Sequence, residues 1–369
     1  MSAHLDRRDR ARALAAQRTD EGITWLLLTS LPNIRYLTGF SGSNAVLALH
    51  AHDPTMDVIG TDGRYAEQVT AEAPGLRALI DRATLPAVLA AMTAAGQSPG
   101  RPPGRVAVES TIALHGWQLV QRSLGSMPVI FEGLVEELRV VKDTTEIAAL
   151  EAACRITAEA FEALITQIRP GMTEIAIARR LEQLFGDLGA QDRAFETIVG
   201  SGPNSAIPHH QCGMRRIQPG DLLVIDAGAL VDGYHADMTR TLIVGGEPSP
   251  WQLEIHAVVA QAQARALSAA QHGATLANID AAARRTIESA GFGEAFVHGL
   301  GHGVGLEIHE APMIGGRATG TIQAGTPITI EPGVYLPGRG GVRIEDTVEV
   351  AAEGARVLTP LPRDLAVVG

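Results

Sequence analysis

Asp221-Leu222-Leu223-Val224-Ile225-Asp226, followed after a short linking stretch by Asp232-Gly233 and then by Tyr234 to Val244, is the stretch on which the fold of this chain turns. The apolar run has strand length and is closed by an acid. Asp-Gly is a tight-turn dipeptide, because two-residue hairpin turns need positive φ at both central positions. The segment after it reads as the return strand. With a two-residue turn at 232–233, Asp226 falls opposite Thr239. Asp237 is two residues from Thr239, so both acids point to one face. A longer turn would reverse that parity, and the shared face holds only for the two-residue turn.

The unit occurs twice. Gly171-Met172-Thr173 opens a helix that ends near Gly189, and Gly273-Ala274-Thr275 opens another that ends near Gly291, a displacement of 102 residues at both ends. A second apolar strand closed by an acid, Pro327-Ile328-Thr329-Ile330-Glu331, puts Glu331 at 105 residues after Asp226. A duplicated helix–helix–hairpin unit accounts for this spacing and predicts two halves facing each other across a pseudo-twofold axis, with Asp226 and Glu331 at equivalent places. Gly341 to Val348 reads as the second return strand, with Arg343 and Glu345 on one face.

Between the two hairpins lies Phe296 to Pro312, where His298, His302 and His309 sit among glycines at every second position from Gly299 to Gly305. Glycine lets backbone approach closely, and histidine offers a metal-binding nitrogen or a proton near neutral pH. Alone, the stretch reads equally as a loop with solvated histidines. It fails GxGxxG, because Val304 and Leu306 stand where a glycine is needed, and His309-Glu310 lacks the second histidine of HExxH. The acids change the reading. Four carboxylates brought together would repel, and some would take up protons. Two divalent cations would cancel the charge of Asp226, Asp237, Glu331 and Glu345, with His302 adding a nitrogen. This mostly oxygen donor set suits manganese, or cobalt or zinc. Two such ions about 3.5–4 Å apart can share a water, make it a hydroxide and clamp a carbonyl. Any one of these acids alone reads as a solvated turn residue; the four acids and His302 together around a duplicated unit do not.

The first part of the chain alternates short apolar runs with helical patterns, which predicts an α/β domain. A helix is expected over 8–20, strands over Thr24–Leu28, Asp57–Gly60 and Val106–Val108, and helices over Tyr65–Ala73 and Trp117–Leu124. Asn33 to Val46 reads as a turn region and fails the GxSxG nucleophile pattern at Ser43. Leu134 to Asp143 reads as a polar crossing. A helical pattern over Thr144–Ile168 follows, stopped by Arg169-Pro170-Gly171. The boundary is expected near residue 140, giving domains 1–139 and 140–369.

The chain has 369 residues, a net charge of -11 and a pI of about 5.6. The acidic balance argues against a nucleic-acid partner. Cys154 and Cys212 form neither a disulfide framework nor a CxxC motif, and reduced thiols in a cytoplasm are expected. No secretory h-region and no apolar run of membrane-spanning length is seen.

The sequence resembles the pita-bread metallopeptidases, the family of methionine aminopeptidase, aminopeptidase P and prolidase. The resemblance is carried by Ile198 to Asn204, Asp226-Ala227-Gly228, Asp237-Met238-Thr239-Arg240, Ile330-Glu331-Pro332-Gly333 and Arg343-Ile344-Glu345-Asp346. Asn33 to Ala45 and Thr61 to Tyr65 are similar to the extra domain of the proline-specific branch. The resemblance implies a creatinase/prolidase-type α/β domain before a pita-bread domain, and metal ligands at Asp226, Asp237, His302, Glu331 and Glu345. It implies that His209 lines the substrate site and steadies the reacting carbonyl. His298 and His309 would hold substrate and tetrahedral intermediate, Arg343 would support the ligands, and Glu331 would pass on a proton. His210 receives no role beyond that of a satisfied loop histidine. The expected activity is that of an Xaa-Pro aminopeptidase with two divalent ions, manganese first, acting on peptides with proline second, as a cytoplasmic homodimer. Xaa-Pro dipeptidase is the alternative, since no arginine in the sequence is visibly aimed at a proline carboxylate. A non-catalytic peptide-binding module is disfavoured, because all five ligand positions are kept.

Overall fold

The computed structural model of the chain describes residues 3–18, 22–96, 105–125 and 127–369. It divides into two compact units, Met1–Arg139 and Val140–Gly369. Among the described residues, no helix is long and apolar enough to cross a membrane.

The first unit is a six-stranded sheet in the order Arg77–Ile80, Val58–Thr61, Val46–His50, Ile23–Leu28, Arg105–Glu109, Val129–Phe131. Ile23–Leu28 is antiparallel to Val46–His50 and parallel to Arg105–Glu109, so the sheet is mixed. Leu27, Leu47 and Ile59 are fully buried in it, each worth about 1.5–3 kcal/mol by removal from water. Two segments differ from the expectation. Leu31–Thr38, within the expected turn region, is a helix with Pro32 in its first turn, where the missing N–H costs nothing. It ends at Gly39, whose φ of 83° allows its N–H to reach Arg35 O. Leu134–Val140, expected as a polar crossing, is also helical, and it buries Leu134, Val135 and Leu138. Of the helix expected over 8–20, the structure describes Ala3–Arg18; residues 19 and 20 lie outside the described residues.

The second unit is built twice. The helices Glu174–Asp187 and Leu276–Ser289 are displaced by 102 residues at both ends, 174 to 276 and 187 to 289. Each is capped alike, Thr173 accepting from Ala176 N and Thr275 from Asn278 N. One core gathers Phe161, Ile177, Leu181, Leu223 and Ile225, the other Val259, Ile279, Ile287, Ile328 and Ile330. In the first hairpin, Thr239 lies opposite Asp226, and His235 opposite Leu230. The turn is the two-residue one, with φ of 48° at Asp232 and 74° at Gly233. In the second hairpin, Ile330 lies opposite Asp346 and Gly333 opposite Arg343. The strand expected over 341–348 is interrupted there. It runs as Gly340–Arg343, then a break at 344–345, then Asp346–Ala351. The break has a physical cause. Glu345 N leaves the hairpin and donates to Thr239 O of the first half at 3.1 Å.

Candidate metal centre

The acids stand where the two hairpins meet. Asp226, next to last in the strand Leu222–Ala227, has its side chain held from one side only. Arg343 Nη2 donates to Oδ2 at 2.6 Å, while Oδ1 is buried with no hydrogen-bond partner among the described residues. Asp237 sits in the gap between Tyr234–His235 and Met238–Val244, its backbone pinned by Thr347. Thr347 Oγ1 donates to Asp237 O at 2.8 Å and accepts from Asp237 N at 3.2 Å. Glu345 accepts from Thr239 Oγ1 at 2.6 Å, and Glu331 from Thr329 Oγ1 at 3.2 Å.

His302 lies in the short strand Gly301–Gly303. A side chain at Gly301 would bring Cβ to 2.1 Å from Thr329 O, and one at Gly303 to 2.2 Å from Ala311 O. Those glycines therefore exist to let His302 sit between two closely packed strands, a tighter reason than flexibility. His302 Nδ1 donates to Gly303 O at 3.0 Å. Its Nε2 is left facing Asp237 Oδ2 at 3.6 Å and Glu331 Oε1 at 3.4 Å. One ligand atom each from Asp237, His302 and Glu345 lies within 4.8 Å of the others.

Burial and mutual repulsion set the charge state. The Asp237 and Glu345 carboxyls are pushed well above the ordinary range, first by burial and then by the neighbouring acids. Glu331 is pushed up to about 7, burial again leading. Burial lowers His302 and His298 to about 4, so both are neutral bases at physiological pH. Buried acids that repel one another, beside a neutral imidazole nitrogen and an orphaned carboxylate oxygen, make up a donor set that could hold a divalent cation.

A single cavity of about 1220 Å³ is lined by Asp226, Asp237, His302, Glu331, Glu345, Arg343, His209, His298 and His309. All the residues singled out in the sequence are thus brought to one place. The His302 and His309 rings meet edge to face at 4.4 Å. Histidine 298 is oriented by two bonds, Nδ1 donating to Gly299 O at 2.7 Å and Nε2 accepting from Tyr335 Oη at 2.9 Å. Tyr335 Oη in turn accepts from Arg343 Nη1 at 3.0 Å.

Family comparisons fit this geometry. Residues 148–352 match the model of metallopeptidase family M24, and residues 7–141 that of the creatinase/prolidase N-terminal domain. The chain belongs to metallopeptidase family M24. It is 36% identical over 350 residues to the uncharacterized peptidase YqhT of Bacillus subtilis, covering 94% of this chain and 96% of that one. It is 45% identical to the Xaa-Pro dipeptidase of Pyrococcus furiosus over 234 residues, 63% of this chain and 67% of that one. Among solved structures it superposes on an Xaa-Pro dipeptidase from Bacillus anthracis (TM-score 0.92, 34% identity, 99% of this chain and 100% of the other). It also superposes on an X-Pro aminopeptidase from Thermotoga maritima (TM-score 0.88, 34% identity, 98% and 99%). The M24 chain therefore carries the pita-bread catalytic fold behind a creatinase-type α/β domain.

Several supporting residues of this M24 site escape a sequence reading. Tyr335 carries no signal in the sequence. Thr239 and Thr347 do: each stands two residues after an acid, in Asp237-Met238-Thr239 and Glu345-Asp346-Thr347. Of the outer arginines, Arg215 is bound to Asp221 and Ser201, Arg216 donates to Gly171 O, and Arg339 stacks over Trp251 at 4.2 Å. Arg317 alone of these four lines the cavity, and it has no ion-pair partner among the described residues.

Proposed function

We propose that this chain hydrolyses the Xaa-Pro bond at a peptide N-terminus with two divalent cations held by Asp226, Asp237, His302, Glu331 and Glu345. Residues 140–369 form the catalytic domain in this reading and 1–139 the creatinase-type domain. The observation that carries it is the buried, unpartnered Asp226 Oδ1 in the same cavity as the Asp237–His302–Glu345 cluster. When bound, the cations supply Lewis acidity and a hydroxide at neutral pH. The residues do the rest. Glu331, a carboxylate on the wall of the same cavity, accepts and returns a proton. His209 and His309 face the substrate and stabilise the developing oxyanion, while His298, with both ring nitrogens engaged by Gly299 and Tyr335, holds the substrate by packing against it. Arg343 aims Asp226 through the bond from Nη2 to Oδ2.

Free Xaa-Pro dipeptides are the favoured substrates. Proline, with no N–H and a fixed φ, offers the enzyme little but its ring and its carboxylate. A buried carboxylate needs a positive partner, and Arg317 is an unpaired cation on the cavity wall. The dipeptidase names borne by relatives support the same choice. Aminopeptidase action on longer peptides is the second reading, supported by the Thermotoga structure's title. The test compares Ala-Pro with Ala-Pro-Ala under saturating manganese. A kcat/KM higher for the dipeptide, lost in Arg317→Ala, is expected; a tripeptide preference in the wild type makes the enzyme an aminopeptidase. Failure to cleave either one overturns the reading.

A further inference from the structure

The segment 201–213 carries His209 to the cavity, and one buried carboxylate anchors it at several points. Glu174, the first residue of the helix Glu174–Asp187, is fully buried. Its Oε1 accepts from Ser201 N at 2.9 Å, Ser201 Oγ at 2.7 Å and Asn204 Nδ2 at 2.9 Å. Its Oε2 accepts from His210 Nε2 at 2.8 Å and Gly213 N at 3.4 Å. The same helix start is joined to the far end of the segment by Ile175 N donating to Gly213 O at 3.1 Å. One side chain thus ties both ends of the segment and the residue next to His209. From the other side, Arg343 Nη1 donates to Pro208 O at 3.2 Å. His209 is held through its neighbours on both sides while its own ring is left exposed in the cavity.

We propose that Glu174 is a positioning residue which, through His210, fixes where the His209 imidazole stands against the substrate. The inference rests on His209 contacting substrate, as read above. Burial alone would raise the Glu174 carboxyl, but the hydrogen bonds from His210, Ser201 and Asn204 outweigh it and hold the group below its ordinary range. Glu174 is therefore an anion at working pH, able to satisfy all five donors. Glutamine in its place turns one acceptor into an NH2 group that faces the His210 and Gly213 donors. The loop must shift, and a displacement of about 1 Å costs on the order of 100-fold in rate.

The experiment is a double-mutant cycle on the manganese-loaded enzyme with Ala-Pro as substrate, using wild type, Glu174→Gln, His209→Ala and the pair. Glu174→Gln is expected to lower kcat/KM about 10- to 100-fold with metal content unchanged, and to cost less than about twofold once His209 is gone. An equal loss with and without His209, or loss of metal, overturns the proposal, as does a wild-type rate in Glu174→Gln. If His209→Ala alone keeps the wild-type rate, the assignment of His209 to substrate fails instead, and this inference falls with it. His210→Phe runs the same cycle from the partner's side; full additivity there overturns the proposal even if Glu174→Gln does not fold.

Discussion

Thr239 donates its hydroxyl to Glu345 at 2.6 Å across the join between the two halves of the catalytic domain, and accepts from Arg343 Nε at 3.0 Å. Thr347, in the matching place after Glu345, reaches back to the Asp237 backbone. Each half therefore holds an acid that the other half aims. Thr239→Val keeps the shape but leaves Glu345 and Arg343 each one bond short in a buried site. A loss of about 1–3 kcal/mol in folding stability follows, with metal affinity down about 10- to 100-fold. Denaturant titration and metal titration of the stripped protein measure the two. Undiminished affinity would mean that Glu345 is aimed by something else.

Removal of the metal is the broadest test. Chelation should abolish turnover, and manganese or cobalt should restore it. The stripped protein should also melt lower than the loaded one, because a cation bound only by the folded state stabilises it by an amount that grows with the logarithm of its concentration over Kd. A verified metal-free sample with full activity would end the metal mechanism.

Ligands and substrate contacts should separate. Asp237→Ala removes a group of the Asp237–His302–Glu345 cluster, so metal and activity should be lost together. His298 bonds to Tyr335 and Gly299 and to none of the acids. His298→Ala should keep the metal and lower kcat/KM on the order of 100-fold, the cost of a substrate displaced by about 1 Å. Metal analysis beside kinetics decides, and missing metal in the His298 variant moves that residue into the ligand set.

What the sequence made legible was whatever is local or periodic. Asp232-Gly233 specified its turn, the turn specified the register, and the register carried Asp226 opposite Thr239. The 102-residue displacement of the two helices was readable because duplication leaves the same caps, Thr173 and Thr275, at both starts. What was not legible depends on partners far away in the chain. The break at 344–345 exists because Glu345 N bonds to Thr239 O, about a hundred residues distant, and no pattern of strand residues announces it. Tyr335 matters only because Arg343 and His298 happen to flank its hydroxyl. Leu31–Thr38 was hidden by Pro32, which looks like a breaker until it is placed in a first turn.

Arg343 offers a sharper case of geometry over charge. Its guanidinium bonds at once to Asp226, Thr239, Tyr335 and the Pro208 carbonyl. Lysine keeps the charge but offers one compact ammonium in place of a fixed fork. Arg343→Lys should therefore act as a severe substitution, lowering kcat/KM on the order of 100-fold, comparable to other losses of a supporting bond. Near-wild-type kinetics in that variant would show that only the charge beside Asp226 is needed.

One contribution to the pH dependence of stability comes from a buried histidine, His256. His256, on the helix Pro250–Ala269, has a buried Nε2 with no partner among the described residues. Burial lowers its pKa below the ordinary 6.5, with a backbone bond at Arg363 and the charge of Asp364 opposing. The sign follows from proton counts. Below about pH 6.5 the unfolded chain takes up a proton at this histidine while the folded chain does not, so the unfolded state gains and stability falls as pH falls. Above that pH the ring is neutral in both states and contributes no slope. His256→Phe removes the titration and keeps an aromatic ring in place. The gap in unfolding free energy between wild type and variant should therefore move in favour of the variant on going from pH 7.5 to pH 5.5, as the His256 pKa of the unfolded chain is crossed. Every other titrating group, the acid cluster included, is common to both proteins and cancels in the difference. Denaturant unfolding of the stripped proteins at the two pH values measures that gap, and a gap independent of pH would show that His256 titrates alike in the folded and unfolded chain.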